Sequence, residues 1–195
     1  LKMHVNYLWV VLLILAYVAN FFVCVFGYYT NEWEATWWWR NGVGLTAIPY
    51  NDSPTEAMRI NYAVNNIIYI EDGQVFAHLS NLEILKLDHN KLMTFPNLTA
   101  VGKTLVQLDI WNNDIRYINP NYMQTLIKLQ VLGMFNNNEL KTVPSEVGFS
   151  NTLSILNLGN CGLMSLPDID QLNNLIDLQI FGNKELVIHA REGVF

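Results

Sequence analysis

The chain has 195 residues, 51% of them hydrophobic and 14% charged, a composition that excludes a disordered tail and supplies the apolar material of one good-sized domain. A formal net charge of −6 with no cluster of lysine or arginine removes the electrostatic footprint of a nucleic-acid binder. Each of the two cysteines, Cys24 and Cys161, lies among apolar positions, so neither reads as part of a disulfide framework or a metal site, and the compartment stays open on this ground.

The first element is residues 1–29. Tyr7 to Ala19 is an uncharged apolar run, and after Asn20 the apolar character resumes to Tyr29. As a secretory signal, the run is the h-region and Val25 and Gly27 form the small-residue pair before a cut after Gly27. As one span of residues 7–29 it is long enough to cross a bilayer uncleaved. Lys2 before it and Glu32 and Glu34 after it favour a cytoplasmic N-terminus with the remainder across the membrane. The remaining alternatives are a buried helix or a mistranslated leader, and with an artefactual leader the chain would stay inside the cell.

Residues 30–55 form a tryptophan-rich stretch with Trp33, Trp37, Trp38 and Trp39 and no cysteine. These tryptophans either cover the first strand of the downstream fold, lie at a membrane interface as aromatic anchors, or belong to sequence that is not properly part of this gene product.

From residue 56 to 195 a pattern recurs, LxxLxLxxN. Its copies are Ala57-Ile60-Tyr62-Asn65, Leu82-Leu85-Leu87-Asn90, Leu105-Leu108-Ile110-Asn113, Leu129-Leu132-Met134-Asn137, Leu153-Leu156-Leu158-Cys161 and Leu175-Leu178-Ile180-Asn183, spaced 22 to 25 residues apart. Such self-similarity marks a stacked-repeat architecture. In each copy the LxL pair points inward from a short strand, and the Asn amide can satisfy backbone groups where the chain leaves it. Between copies, Ile67 and Ile70, Phe76 and Leu79, Leu92 and Phe95, Ile115 and Ile118, Met123 and Leu126, Val143, and Leu163 and Leu166 supply the apolar contacts of the return path, in loops or short helical turns. An extra residue after Asn137 and after Asn183 reads as a bulge that leaves the strands undisturbed.

Spacing and residue types together resemble the leucine-rich-repeat proteins. The resemblance implies an α/β solenoid, a right-handed horseshoe with a parallel concave β-sheet and an irregular or short-helical convex side. It also implies that Asn65, Asn90, Asn113, Asn137, Cys161 and Asn183 form a structural ladder, cysteine being the family's substitute for asparagine, so that Cys161 is a buried ladder residue and not a reactive thiol. Leu45-Thr46-Ala47-Ile48-Pro49, followed by Pro54, resembles the element closing the N-terminal cap of extracellular members, without that cap's cysteines. After Leu186 the pattern calls for a further strand but reaches Phe195 with no C-terminal cap, which reads as a fragment of a longer protein.

Function is sought on the concave face, where strand residues flanking the LxL pair alternate outward. The column after the pair reads Ala63, Asp88, Trp111, Phe135, Gly159 and Phe181. Trp111 and Phe135 are expected as exposed neighbours about 4.8 Å apart, an aromatic anchor with Asp88, His89, Asn112 and Asn136 as polar rim. Phe181 extends the face. The competing reading is that the aromatics stack and stiffen the sheet without meeting a ligand. Lys86 and Asp109 are expected as a solvated pair of little consequence. Asp88 with Asp109 is the arrangement nearest to acid–base chemistry, but an open sheet supplies no water-excluding cleft, so no enzyme is expected. The histidines do not fall at metal-ligand spacings, and no cofactor is implied. Asn97-Leu98-Thr99 and Asn51-Asp52-Ser53 match the N-glycosylation pattern, Asn97 being the better acceptor because Pro54 follows the other.

These observations imply an extracellular or cell-surface module that binds a protein ligand or receptor, or a glycan, through its concave sheet. The rivals are an adhesive matrix protein that self-associates and an intracellular scaffold.

Overall fold

A computed structural model describes residues 37–187, except 146, 150 and 168. The leader at 1–29 with Cys24, the residue Trp33 and the C-terminal end with His189 lie outside the described residues. Among the described residues no helix is long and apolar enough to cross a membrane.

Seven three-residue strands form one parallel sheet in chain order: β1 (Trp37–Trp39), β2 (Arg59–Asn61), β3 (Ile84–Lys86), β4 (Gln107–Asp109), β5 (Val131–Gly133), β6 (Ile155–Asn157) and β7 (Asp177–Gln179). The central residues Trp38, Ile60, Leu85, Leu108, Leu132, Leu156 and Leu178 pair along one unbroken register. Period-2 alternation puts them all on the inner face. Leu85, Leu108 and Leu132 have no exposed surface, nor do Leu87, Ile110 and Met134 two residues on. Burial of each such side chain stabilises the fold by roughly 1.5–3 kcal/mol.

The return path closes the other side of this core. Ile67, Leu92, Ile115 and Leu163 are fully buried, and among the described residues helical structure is confined to short turns. One is a 3₁₀ turn, Gly73–Phe76, capped by Asp72, whose carboxylate accepts from the Gln74 N–H. Another is α1 (Pro120–Gln124), where Asn119 caps the N-terminus and proline fills the first helical position, which needs no donor. A third, Ile169–Gln171, is 3₁₀. The chain is a parallel solenoid with little helix.

The asparagines tie successive turns together. Asn113 donates through Nδ2 to the Ile110 carbonyl of its own turn and the Leu87 carbonyl of the turn before, both at 3.0 Å, and accepts from Leu92 N–H at 2.9 Å. Asn65, Asn90, Asn137 and Asn183 repeat this scheme. Cys161 sits fully buried in the same column, its Sγ donating to the Met134 carbonyl at 3.3 Å. A thiol offers no amide oxygen. The extra residue after Asn137 coexists with this lack, because Leu140 N–H reaches the main-chain carbonyl of Cys161 instead, at 3.1 Å. The bulge packs its Asn138 carbonyl against Gly162, where a Cβ would come within 2.2 Å, and the strands on either side keep their register.

The first strand is a finding the six-copy pattern does not contain. Trp37–Trp39 covers the edge of the first-repeat strand by becoming a strand itself: it adds a turn to the sheet, pairing with Arg59–Asn61. In this turn the second inward position is Arg40, in the place of Tyr62 and Leu87. Its guanidinium bonds Asp52, 2.5 Å from Nη2 and 3.0 Å from Nε. Asp52 also accepts from Tyr62 Oη at 3.2 Å and Trp38 Nε1 at 3.4 Å. Ser53, beside it, is buried, with its hydroxyl 3.1 Å from His78 Nε2. A polar nucleus thus packs beneath the first described turn.

Candidate functional site on the concave face

Three residues past the end of each strand the chain enters the left-handed region, at Gly42 (φ 66°) after β1 and in the same way after the other six. Val64, His89, Asn112, Asn136 and Asn160 have φ between 51° and 58°, and Gly182 has φ 72°. Asparagine, histidine and glycine tolerate this conformation, whereas β-branched Val64 is strained by it. The left-handed turn swings the chain off the sheet and presents the column just before it, Asp88, Trp111 and Phe135, along one rim.

In that column the Trp111 and Phe135 rings lie face to face, with centroids 4.7 Å apart and planes 9° from parallel. The His89 ring meets Trp111 edge-on at 4.2 Å. Because they stack, Trp111 and Phe135 are half-buried and not fully exposed as the alternation alone suggests. Phe181 is 55% exposed, and its ring leans over Gly159, where a Cβ would come within 2.4 Å of it. Only glycine admits that approach.

The polar rim differs from its sequence expectation at one position. Asp88 is 7% exposed, with its carboxylate 3.0 Å from His89 Nδ1, so it supports the histidine from beneath while His89 itself is exposed. Asn112, Asn136 and Asn160 form a second amide ladder parallel to the aromatics: Asn136 Nδ2 donates to Asn112 Oδ1 at 2.6 Å, and Asn160 Nδ2 to Asn136 Oδ1 at 2.9 Å. Asn160 was not among the residues singled out from the sequence, although Asn160-Cys161 repeats the Asn112-Asn113 and Asn136-Asn137 doublets.

Lys86 and Asp109 are register partners but form no ion pair. Asp109 accepts from Gln107 Nε2 at 2.9 Å, while the Lys86 ammonium lies 5.7 Å from the centre of the Trp37 ring. Burial raises the Asp109 pKa above the ordinary carboxylate value, against the lowering influence of Gln107 and Lys86. Asp88 and Asp109 are thus each engaged by a different neighbour, one by His89 and the other by Gln107. Burial also pushes the Cys161 thiol up to about 11, so it stays protonated at neutral pH and unsuited to nucleophilic chemistry.

Of the possible acceptor asparagines, Asn97 donates through Nδ2 to the Glu71 carbonyl at 2.8 Å, and Thr99 Oγ1 donates to its Oδ1 at 2.8 Å. Asn51 is exposed with φ 54°, next to the buried Asp52 carboxylate and Ser53.

No family model matches the chain. Among curated proteins, it is 33% identical over 131 residues to lumican of Gallus gallus, covering 58% of this chain and 36% of that protein. It is 31% identical over 155 residues to human leucine-rich repeats and immunoglobulin-like domains protein 3, covering 67% of this chain and 14% of that protein. It is also 31% identical over 121 residues to disease resistance protein RPS6 of Arabidopsis thaliana, covering 59% and 10%. The chain therefore spans little more than a third of the length of these relatives at most.

Proposed function

Because the chain belongs to the leucine-rich-repeat proteins, we propose that it is a protein-binding module that recognises its partner through the concave sheet, on the outside of the cell. The observation that carries this reading is the stacked run of His89, Trp111 and Phe135, half-buried on an open face and flanked by the Asn112, Asn136 and Asn160 amides. An extended concave surface is what solenoids use for binding, and aromatic side chains in a partly desolvated setting dominate binding energy. The extracellular assignment draws on relatives such as lumican and the human immunoglobulin-like-domain protein, which are extracellular or cell-surface proteins, whereas the plant relative is intracellular.

The test is selection of a random-peptide display library against the full chain, followed by affinity measurements of the selected peptides on Trp111→Ala and Phe135→Ala variants whose circular dichroism matches the parent. A loss of tenfold or more in either variant is expected. Peptides indifferent to every concave-face substitution would refute the assignment of the surface.

A further inference from the structure

The opposite end of the concave face holds a feature the aromatic run does not explain. Trp37 and Trp39 both alternate outward from β1 and stack on each other with centroids 5.0 Å apart. The Arg59 guanidinium, one strand on, lies 5.8 Å from the centre of the Trp37 ring, and the Lys86 ammonium, two strands on, lies 5.7 Å from the same centre. Parallel register brings them together: Trp37 pairs with Arg59, while Trp39 pairs with Asn61 and Asn61 with Lys86.

Among the described residues only Arg40 and Lys141 of the lysines and arginines form ion pairs, so what sets Arg59 and Lys86 apart is that both charges lie over one ring, Trp37. Among the described residues neither Arg59 nor Lys86 belongs to an ion pair, and Arg59 Nε is buried with no hydrogen-bond partner. Asp109, the register partner of Lys86 and close enough to feel its charge, forms no ion pair with it and accepts a hydrogen bond from Gln107. Contact with an aromatic face orients a cation without neutralising it, and a guanidinium so held keeps its planar donor fork ready for a carboxylate. Two positive charges with aromatic backing, neither of them in an ion pair among the described residues, are the complement of an acidic side chain.

We infer that Arg59, Lys86 and Trp37 form a subsite for a carboxylate side chain, and that the partner is a protein segment presenting this acid together with an apolar side chain for Trp111 and Phe135. This rests on the concave-face reading above. Lys86 belongs to the third strand, and Trp111 and Phe135 follow the fourth and fifth, one to two strand spacings or roughly 5–10 Å away. An extended segment rising about 3.3 Å per residue spans that when the acid stands two to four residues from the anchor, given the reach of the side chains.

The same display selection separates the two ideas. Enriched peptides are expected to carry Asp or Glu two to four residues from an aliphatic or aromatic residue. Their affinity for the full chain should fall at least tenfold in the Arg59→Ala/Lys86→Ala double variant, fall likewise when the peptide's Glu is changed to Gln, and weaken with added salt. The charge-conserving Arg59→Lys/Lys86→Arg variant should retain binding, which separates charge from folding. Peptides that depend on Trp111 and Phe135 but ignore Arg59 and Lys86 would overturn this inference and leave the concave-face reading standing. Failure to enrich any peptide, or binding indifferent to all these variants, would overturn both. A heparin oligosaccharide that binds through Arg59 and Lys86 while acidic peptides do not would move the subsite to a sulfated glycan and overturn the peptide assignment.

Discussion

The middle of the sheet and its first turn are closed by different chemistry. In the middle, Leu108, Ile110, Leu132 and Met134 have no exposed surface and the Asn113 and Asn137 amides join one turn to the next. In the first turn the equivalent inward positions are Trp38 and Arg40, and the contacts converge on one carboxylate, Asp52. A repeat flanked on both sides can satisfy its backbone and bury its leucines against copies of itself. In the first described turn a charged, hydrogen-bonded nucleus stands where leucines stand in the interior.

The difference has a measurable size. Leu108→Ala should be the most damaging single change, about 3 kcal/mol, through lost burial and a residual cavity between two turns. Urea unfolding followed by circular dichroism would report it as a lower midpoint. A cost below about 1 kcal/mol would mean that the interior turns are not the close-packed part of the molecule. Asn113→Ala comes next, at about 2 kcal/mol, because it strands the Leu92 N–H and removes a donor from the Leu87 and Ile110 carbonyls, all in the interior. Asn113→Cys should recover part of this loss by keeping a weak donor, as Cys161 does toward Met134. Equal stability of the Ala and Cys variants would show that donation to the carbonyls contributes nothing.

That contrast also decides what was legible beforehand. The period of 22 to 25 residues sufficed to place β2 to β7, the ladder and the outward columns, because every turn repeats one solution and each position is read six times. The first strand was missed although Trp37–Trp39 precedes Arg59–Asn61 by one such period: with Trp38 and Arg40 at the inward positions, the leucine signature is gone. Asp52, Ser53 and His78 left no signal, since their meeting depends on a loop path that occurs once. On the concave face alternation gave the outward columns, but rotamers decided the pairings. Lys86 turned to Trp37 instead of Asp109, and Asp88 lies beneath His89 instead of in solvent.

Acid should separate the two regions with opposite signs. The Asp52 carboxyl is held below its ordinary pKa, the bonds from Arg40 and Trp38 and the charge of Arg40 together outweighing burial, the largest single influence, which acts the other way. Its folded value is lower than its unfolded one, so its stabilising contribution is whole above about pH 4 and is lost as pH falls through the folded value. Asp109 has a raised pKa, caused first by burial. Its contribution is whole below the unfolded value and is lost as pH rises through the folded one. Hydrogen exchange read peptide by peptide between about pH 6 and about pH 3 should therefore show residues 37–52 losing protection while residues 105–137 keep theirs. Asp52→Asn, expected to cost about 1–2 kcal/mol since Arg40 is partly solvated, should produce the same local opening at neutral pH. Parallel loss in both regions would dissolve the distinction.

The smallest effect on stability, and the sharpest on localisation, concerns the two acceptor sequences, one in each region. Asn97 lies on an exposed edge; a sugar replacing one hydrogen of its amide nitrogen leaves the other free for Glu71, and the hydroxyl of Thr99 is already turned toward its oxygen. Near Asn51, the Ser53 hydroxyl is buried against His78 and Pro54 follows it, so a glycan there would crowd the Asp52 nucleus. Expressed in secreting eukaryotic cells, the full chain should carry one N-glycan, removed by an N-glycosidase, lost in Asn97→Gln and retained in Asn51→Gln. The midpoint of unfolding should shift little, because Asn97 is outside the ladder. An unmodified chain in the cytosol would set the extracellular proposal aside in favour of an intracellular scaffold, leaving the contrast between the middle of the sheet and its first turn intact, since neither Asp52 nor the leucines depend on where the protein resides.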